Sequence, residues 1–500
     1  MKSVIDKIKK LKDKSIVKKL LMAAEIAFYL YFFLKMCLNL CYGTEAEFQV
    51  IRDYYNFKAI CYLLGIIIVA TRAHIWHWIC LLAAGGYAAG CIFYMKKMMF
   101  ESELFQTMEM RLIAYGLCGI ILIDAIIRKN FVKLKNRNWW LTGILMFAFV
   151  FTWIFSIGRA NTFCFLCPFA VIYLIKLTPQ VWVKLMNCFS VSFVGSVCWI
   201  FGKSLMEVPY EGSRYWGVFL NLSTIGLFCA GATVCAMYWF LVKREGRWRW
   251  SWRFVPILGA LAFSLTAVSM ISARTAMLAL ICVVFFAFVC CPADQKPGTM
   301  KKRFLIICIT ACVLLVAGFC VLWGLYQVDR ETLRALIPND MIYNKVAYWH
   351  VRASTMFRAE SRMFEHGTPI AMLDRFSSGR LGIWYNYLTN LNWLGHLSTY
   401  LEEVKPHRLH AHNSYISNLY NYGIIGGGAY LCWNIGLFVT AIKKAAADNK
   451  IYLLPVLWIA LALGGMLTDM YHWIYPIPFI MLLMQYPLLV KIEKNEKEKK

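Results

Sequence analysis

Long apolar stretches recur along the whole chain, and only short polar segments separate them. A helix needs about 20 apolar residues to cross the hydrocarbon core of a bilayer, and most of these stretches approach or exceed that length. They predict fourteen spans, near residues 20–42, 57–72, 74–95, 111–127, 139–157, 163–178, 181–201, 217–241, 254–271, 276–291, 304–326, 414–441, 451–470 and 474–490. The expected fold class is all-α, a polytopic integral membrane protein of about 12 to 14 transmembrane helices.

One long hydrophilic connection, residues 327–413, interrupts the apolar pattern. Loops of this length without structure are uncommon unless they carry function. We expect it to be extracytoplasmic and partly helical, because segments such as 347–367 mix aromatic and methionine positions with charges. The predicted organisation is a basic tail (1–19), an N-terminal bundle of about eleven spans (20–326), this loop, C-terminal transmembrane helices (414–490) and a second tail (491–500).

Charge gives the topology rather than a nucleic-acid partner. The chain is 60% hydrophobic and carries a net charge of +26, but its lysines and arginines flank the apolar stretches. They form no basic face lined by aromatic residues, so nucleic acid is not an expected partner. Basic loops at 128–138, 243–253 and 292–303 all fall on one side under the fourteen-span count, with both tails. The positive-inside rule then predicts a multi-pass protein of the cell (plasma) membrane with cytoplasmic termini.

Neither the cysteines nor the histidines predict a metal site. Most of the nineteen cysteines lie inside apolar stretches, where a cysteine behaves as a small hydrophobic residue. Cys164-x-x-Cys167 lacks the second pair that a structural zinc site needs. The step from His407 to His410 has no carboxylate or cysteine at a spacing that would complete a site. We expect no metal and no cofactor.

Two arginines lie at the predicted outer ends of spans, where the positive-inside rule disfavours them. Arg159 follows the fifth span, and Arg274 lies in the single polar cluster of the apolar region 254–291. Two interpretations remain open for each, a topological anchor or an anion-binding group. Guanidinium groups are fork-shaped and always charged, so several around one outer cavity would suit a diphosphate. Other charges in the spans, such as Glu25 and Asp124, are expected to snorkel to the surface.

Titratable residues cluster where the long loop re-enters the membrane. His407, His410 and His412 lie within six residues, and a glycine-bearing apolar segment from Gly423 to Gly428 follows. A neutral imidazole that takes a proton from an attacking hydroxyl is the most economical role for such a histidine. The glycines are expected to be packing residues, because small residues let membrane helices approach closely.

Three motifs in this order resemble those of the bacterial O-antigen ligase family and the related O-antigen polymerases. His412-Asn413, followed after nine residues by Gly423-Ile-Ile-Gly426, is similar to the family's histidine motif. Arg274, in the segment SARTAMLAL at the start of a span, is similar to its membrane arginine motif. Ser378-Gly-Arg380-x-x-x-Trp384 resembles the second arginine element in its long outer loop. The resemblance covers roughly residues 254–441.

The resemblance implies a metal-independent glycosyltransferase of surface polysaccharide assembly, with its active site on the outer face. Its donor would be a glycan linked to a polyprenyl diphosphate such as undecaprenyl diphosphate, and its acceptor a glycan or glycolipid hydroxyl. By the same resemblance, Arg274 and Arg380 would hold the diphosphate as leaving group, and His412 would activate the acceptor hydroxyl. The residues expected to bind substrate are Arg159, Trp384, His410 and Asn413.

The sequence leaves other functions open. A ligase and a polymerase differ only in the acceptor, and the motifs do not separate them. A flippase for lipid-linked oligosaccharides also has 12 to 14 spans, but transporters place polar residues along the membrane midplane and often have two similar halves. Here the polar candidates lie at the predicted outer face and the halves are dissimilar. A receptor-like or structural membrane protein is a third reading.

Overall fold

The structure is a computed structural model of the 500-residue chain. The residues that it describes are 15–45, 49–72, 85, 103–155, 160–206, 210–211, 214–215, 222–243, 274–290, 305, 309, 313, 316–318, 320–321, 323–357, 368–376, 379–396, 411–447, 449–465 and 476–492. Almost all of them are helical. The exceptions with regular structure are one 3-10 turn, Leu134–Asn136, and an antiparallel pair of two-residue strands, β1 (Tyr210–Glu211) and β2 (Arg214–Tyr215).

The helices divide into long apolar ones and short ones. The helices are α1 (Ser15–Glu45), α2 (Gln49–Ala70), α3 (Glu103–Arg128), α4 (Trp139–Phe155), α5 (Ala160–Leu174), α6 (Pro179–Met206), α7 (Leu222–Lys243), α8 (Arg274–Cys290), α9 (Arg330–Leu336), α10 (Asp340–Phe357), α11 (Pro369–Phe376), α12 (Arg380–Thr389), α13 (Ser414–Ala447), α14 (Asn449–Gly465), α15 (Pro476–Met484) and α16 (Tyr486–Leu489). Helices α9 to α12 all belong to the long hydrophilic connection.

Five segments within these helices are long and apolar enough to cross a membrane, which agrees with the predicted all-α membrane protein. They are Lys19–Gly43, Ile51–Ala70, Thr107–Arg128, Pro179–Ile200 and Ser414–Ala445. Shorter apolar helices include Trp139–Ala148, Gly226–Trp239, Lys450–Gly465 and Ile477–Leu489. The predicted spans near 74–95 and 254–271 lie wholly or almost wholly outside the described residues, and the span near 304–326 is described only in part, so the total of fourteen stays a prediction.

The second span was predicted too short. The sequence placed its start near residue 57, whereas α2 begins at Gln49 and includes Arg52 and Asp53. Asp53 is buried, and its carboxylate lies 2.8 Å from the Arg111 guanidinium of α3. Because the two charges compensate each other, the helix continues through residues whose hydropathy alone predicts an end.

Two acids of the spans that were expected to snorkel to the surface have basic partners in the structure. The Glu25 carboxylate of α1 lies 3.0 Å from the Lys184 ammonium of α6. Asp124 is buried and pairs with Arg128 one turn further along α3. Each acid is therefore paired with a positive charge, which lowers the cost of removing the carboxylate from water.

Close helix crossings hold the bundle together. A Cβ atom at Gly231 of α7 would lie 2.6 Å from the Trp458 ring of α14, and one at Gly436 of α13 would lie 2.4 Å from the Trp140 ring of α4. Trp458 is fully buried. Large rings thus fill the space that glycines on the facing helix leave, which is how membrane helices gain packing without a hydrophobic driving force.

Basic residues concentrate at one end of the bundle, here called the basic end. There the Asn138 N–H donates to the Leu489 carbonyl over 2.9 Å, and the Lys491 N–H donates to the Asn136 carbonyl over 2.7 Å. The basic residues of this end are Arg72, Arg128, Lys129, Lys133, Lys135, Arg137, Lys176, Lys443, Lys444, Lys450 and Lys491. Helix α13 ends at the basic end and begins at the opposite one, where the predicted histidine motif lies.

Candidate functional site

Helix α12, which begins with Arg380, is fixed by a buried carboxylate from the preceding helix. Gly379 has φ 81°, a left-handed conformation that suits glycine, and its N–H donates to the Asp374 carbonyl over 2.7 Å. The Asp374 carboxylate accepts the N–H of Gly382 over 2.9 Å and so satisfies one of the free donors of the first turn. Asp374 therefore sets the position and direction of the helix that carries Arg380, whose side chain is half-buried.

Trp384 joins that helix to the segment that contains the histidine. It lies one turn after Arg380, and its indole Nε1–H donates to the Ala411 carbonyl over 2.7 Å. Ala411 is fully buried with Tyr387 and Tyr420 in a small apolar cluster. Trp384, expected to bind substrate, thus uses its only polar hydrogen within the protein and acts as a positioning residue.

Asn413 caps helix α13. Its side-chain Oδ1 accepts the N–H of Tyr415 over 3.0 Å and the N–H of Ile416 over 3.2 Å. Asparagine is among the strongest residues at this position, where its oxygen pairs with donors of the first turn. The amide of Asn413, also expected to bind substrate, is buried and its oxygen is engaged in this cap.

His412 directly precedes this cap. Its φ is 48°, in the left-handed region that non-glycine residues seldom adopt and that costs about 1–2 kcal/mol. The side chain is half-buried. The Trp384 bond on one side and the Asn413 cap on the other hold the backbone in this turn, so the imidazole projects from a constrained position at the start of a helix.

Helix α13 breaks at Gly423, and a loop crosses the break. Gly423 has φ 73° and ψ 174°, and Gly395 of the loop has φ 92°. The Ile424 N–H donates to the Asn392 carbonyl of the loop over 2.9 Å. A Cβ atom at Gly423 would lie 2.3 Å from the Trp393 carbonyl oxygen, so only glycine fits. Gly423 therefore allows close packing, as expected, but its neighbour is the backbone of a loop, and the residue also breaks the helix.

The two ring systems beside this crossing stack on each other. The His396 ring lies parallel to the Tyr420 ring with 3.8 Å between centroids, and its Nδ1 lies 2.9 Å from the Tyr420 carbonyl oxygen. Tyr387 of α12 meets Tyr420 edge to face at 4.9 Å. The loop, α12 and the first part of α13 therefore form one packed unit around the His412 segment.

Helix α8 starts at this same end of the bundle. The Tyr415 hydroxyl donates to the Leu463 carbonyl of α14 over 3.1 Å. A Cβ atom on the next residue, Gly464, would lie 2.8 Å from Cα of Ala279 in α8. The backbone of Arg274 begins α8 five residues before Ala279. The structure therefore brings the backbone at the Arg274 end of α8 and the His412 end of α13 to the same end of α14.

The other two predicted site residues, Arg159 and His410, lie outside the described residues. Helix α4 ends at Phe155, four residues before Arg159, and a Cβ atom at Gly426 would lie 2.7 Å from the Phe151 ring. Thus α4 ends beside the break in α13. Within the described ranges, no group of three His, Cys, Asp or Glu side chains has the geometry to hold a metal ion.

Sequence reasoning missed three residues that build this unit. Asp374 gave no signal as a cap, because it lies six residues before the helix it caps and inside another helix. His396 and Gly395 lie in a polar loop whose partners are 24 to 28 residues further along the chain. Of the residues at the crossing of loop and helix, Gly423 was the one that the sequence marked, as a glycine within an apolar segment. A glycine in that setting is equally typical of close packing between helices.

Comparisons with known proteins do not identify a family. A scan against protein-family models finds no match, and a search of curated proteins finds no relative.

Proposed function

We propose that this chain is a membrane glycosyltransferase of the O-antigen ligase or polymerase type. It would transfer a glycan from a polyprenyl-diphosphate-linked donor to an acceptor hydroxyl. The observation that carries the proposal is the Trp384–Ala411 hydrogen bond, because it ties the helix of Arg380 to the His412 turn. Two motifs with the residue types for diphosphate binding and proton removal thus belong to one packed unit.

The position of the first residues of α8 supports the inclusion of Arg274 in the proposed site. Arg274 begins a helix whose nearby residue Ala279 packs on Gly464, beside the Tyr415–Leu463 hydrogen bond. The backbone segments that carry the three motifs, which extend from Arg274 to Asn413 in sequence, therefore lie at one end of the bundle.

The proposed reaction is a single displacement at the anomeric carbon. The acceptor oxygen forms a bond to that carbon while the bond to the diphosphate oxygen breaks, and the polyprenyl diphosphate leaves with the bonding electrons. The acceptor hydroxyl proton passes to the His412 imidazole. Arg274 and Arg380 stabilise the negative charge that develops on the diphosphate, a role worth a few kcal/mol per well-placed donor.

The location of His412 suits a base. His412 directly precedes the first turn of α13, and a positioned imidazole is the side chain that most often removes a proton in general base catalysis. The constrained left-handed turn at His412 limits the orientations of the ring, and strained residues of this kind concentrate at functional sites.

The charge distribution supports an outer-face location. The basic end, with Arg137 and Lys491, is the end that the positive-inside rule assigns to the cytoplasm. We propose that the opposite end, with His412, faces outward in the plasma membrane, and that both termini are cytoplasmic. A lipid-linked donor presented at the outer surface would then reach the site directly.

The experiment follows the fate of the donor. The purified protein, reconstituted in liposomes, receives a polyprenyl-diphosphate-linked repeat unit labelled in the sugar, with and without a separate glycolipid acceptor. Release of polyprenyl diphosphate with elongated lipid-linked product and no other acceptor identifies a polymerase. Release that requires the separate acceptor identifies a ligase. Movement of intact donor across the bilayer without release would refute the proposal in favour of a flippase.

A further inference from the structure

A cleft opens at the basic end, far from the His412 unit, between α1, α6, α7 and α14. Its volume is about 790 Å³, which is in the range of ligand-binding pockets. Most of its lining is apolar. The lining residues are Ile26, Leu30, Pro179, Gln180, Val183, Lys184, Asn187, Cys188, Val191, Trp239, Lys450 and Ile451.

The charged residues of the cleft lie toward its mouth, Asn187 follows one turn further along α6, and the deepest part of the lining is apolar. Gln180, Lys184 and Lys450 lie near the starts of α6 and α14 at the basic end. Val191 lies on α6 twelve residues after Pro179, which corresponds to about 18 Å at 1.5 Å per residue. Leu30 lies beside it, because the Ser192 hydroxyl donates to the Leu30 carbonyl over 2.7 Å. This gradient matches an amphiphile with a headgroup at the mouth and a chain along α6.

The charges at the mouth favour an anion. Lys184 lies 3.0 Å from the Glu25 carboxylate, but an ammonium has three donors, so two remain for another acceptor. Lys450 adds a second positive charge and is exposed. Helices α6 and α14 both begin here, so their dipoles add to the positive potential.

We propose that this cleft binds an anionic glycerophospholipid, with its phosphate at Lys184 and Lys450 and an acyl chain against Leu30 and Val191. Basic pockets between membrane helices on the cytoplasmic side are suited to anionic headgroups, which that leaflet supplies. The lipid is a bound partner and takes no part in the reaction at the other end. The inference does not depend on the proposed glycosyltransferase function.

Native mass spectrometry of the purified full-length protein tests the proposal. The delipidated protein is titrated with dioleoyl phosphatidylglycerol and separately with dioleoyl phosphatidylcholine, which differ only in the headgroup. We expect saturable binding of phosphatidylglycerol and much weaker binding of phosphatidylcholine. Inorganic phosphate in excess should not displace the bound lipid, because it cannot fill the apolar part of the cleft.

Two variants separate the two parts of the site. Lys450→Gln removes one exposed charge at the mouth and should weaken phosphatidylglycerol binding about fivefold, the factor that one surface lysine contributes. Val191→Trp leaves the charge unchanged but fills the apolar part, so it should weaken binding of the lipid at least as much. Val191 is 46% exposed, so the larger ring is compatible with the fold. Lys443→Gln is the matched control, since Lys443 is an exposed lysine of the basic end that does not line the cleft.

The binding of the two lipids to the wild type and the three variants decides whether the cleft is a phospholipid site. Selective binding that falls in Lys450→Gln and Val191→Trp but not in Lys443→Gln supports the site. Equal binding of the two lipids overturns it, as does wild-type affinity in both cleft variants, or displacement by phosphate alone. Size-exclusion profiles that match the wild type show that a loss of binding is not a loss of fold.

Discussion

The break in helix α13 gives the sharpest test of the structure, because two glycines only five residues apart should respond in opposite directions. Gly423 has φ 73° and ψ 174°, a region that is essentially restricted to glycine and costs other residues about 1–3 kcal/mol. In Gly423→Ala, the new methyl carbon would also lie 2.3 Å from the Trp393 carbonyl oxygen and 2.5 Å from the Gly395 nitrogen. Both are backbone atoms, so the loop must move away from the helix.

Gly428 is the matched control. A Cβ atom there meets nothing within 4 Å, and the residue lies in the regular second part of α13. Gly428→Ala should therefore stabilise the protein by about 0.5–1 kcal/mol through lower chain entropy in the unfolded state. The two alanine variants should differ by about 2–4 kcal/mol when these contributions are combined.

The assay is the apparent melting temperature of detergent-solubilised protein, measured at one heating rate because large membrane proteins unfold irreversibly. Gly423→Ala should melt below the wild type and Gly428→Ala at or above it. Limited proteolysis should cut the 390–396 loop faster in Gly423→Ala alone. If Gly423→Ala melts as high as Gly428→Ala, the crossing of the loop over the helix break is wrong.

Two further predictions concern single hydrogen bonds. Trp384→Phe keeps an aromatic ring but removes the hydrogen bond to the buried Ala411 carbonyl, which should lower the free energy of unfolding by about 1–3 kcal/mol. Amide hydrogen exchange should then rise at residues 411–413. Unchanged exchange there would contradict the positioning role of Trp384. The pKa of Asp329 lies below its ordinary value of 3.8 because the Thr332 N–H and hydroxyl donate to the carboxylate at 2.8 and 2.7 Å. The stabilisation of α9 by the Asp329 carboxylate is therefore fully present above pH 3.8 and is lost as the pH falls through the lowered pKa. Protection of the Thr332 amide from hydrogen exchange should drop below about pH 4 in the wild type. In Asp329→Ala this protection should be insensitive to pH.

Hydropathy predicted the helices well where composition alone decides them. Helix α13 begins at Ser414 and α8 at Arg274, close to the starts expected from the apolar pattern. Hydropathy failed at α2, because the first residues of this helix include the charged pair Arg52 and Asp53. The reason is tertiary, since Arg111, which neutralises Asp53, lies 58 residues away in sequence.

The arrangement of the site was only partly predictable. The motifs indicated which segments matter, and the structure supplies how Trp384 and Asn413 hold the turn at His412. The break at Gly423 could not be foreseen, because the same glycine serves close helix packing in other contexts. The loop that packs against the break contains Gly395, whose left-handed conformation has no signature in a polar sequence.

We propose that His412 takes the proton of the acceptor hydroxyl, and one substitution separates this role from its structural one. Asparagine tolerates the left-handed conformation of this position better than most residues but has no imidazole, so His412→Asn keeps the turn and removes the base. His350→Gln is the control, because it removes an imidazole whose Nε2 lies 2.7 Å from the Val328 carbonyl oxygen elsewhere in the same long connection. The measurement is the rate of glycan transfer by purified protein at saturating lipid-linked donor. We predict that His412→Asn lowers this rate by about 10²–10⁴-fold with donor binding retained, the usual contribution of a general base, and that His350→Gln transfers at nearly the wild-type rate. Transfer by His412→Asn at the wild-type rate would contradict the account.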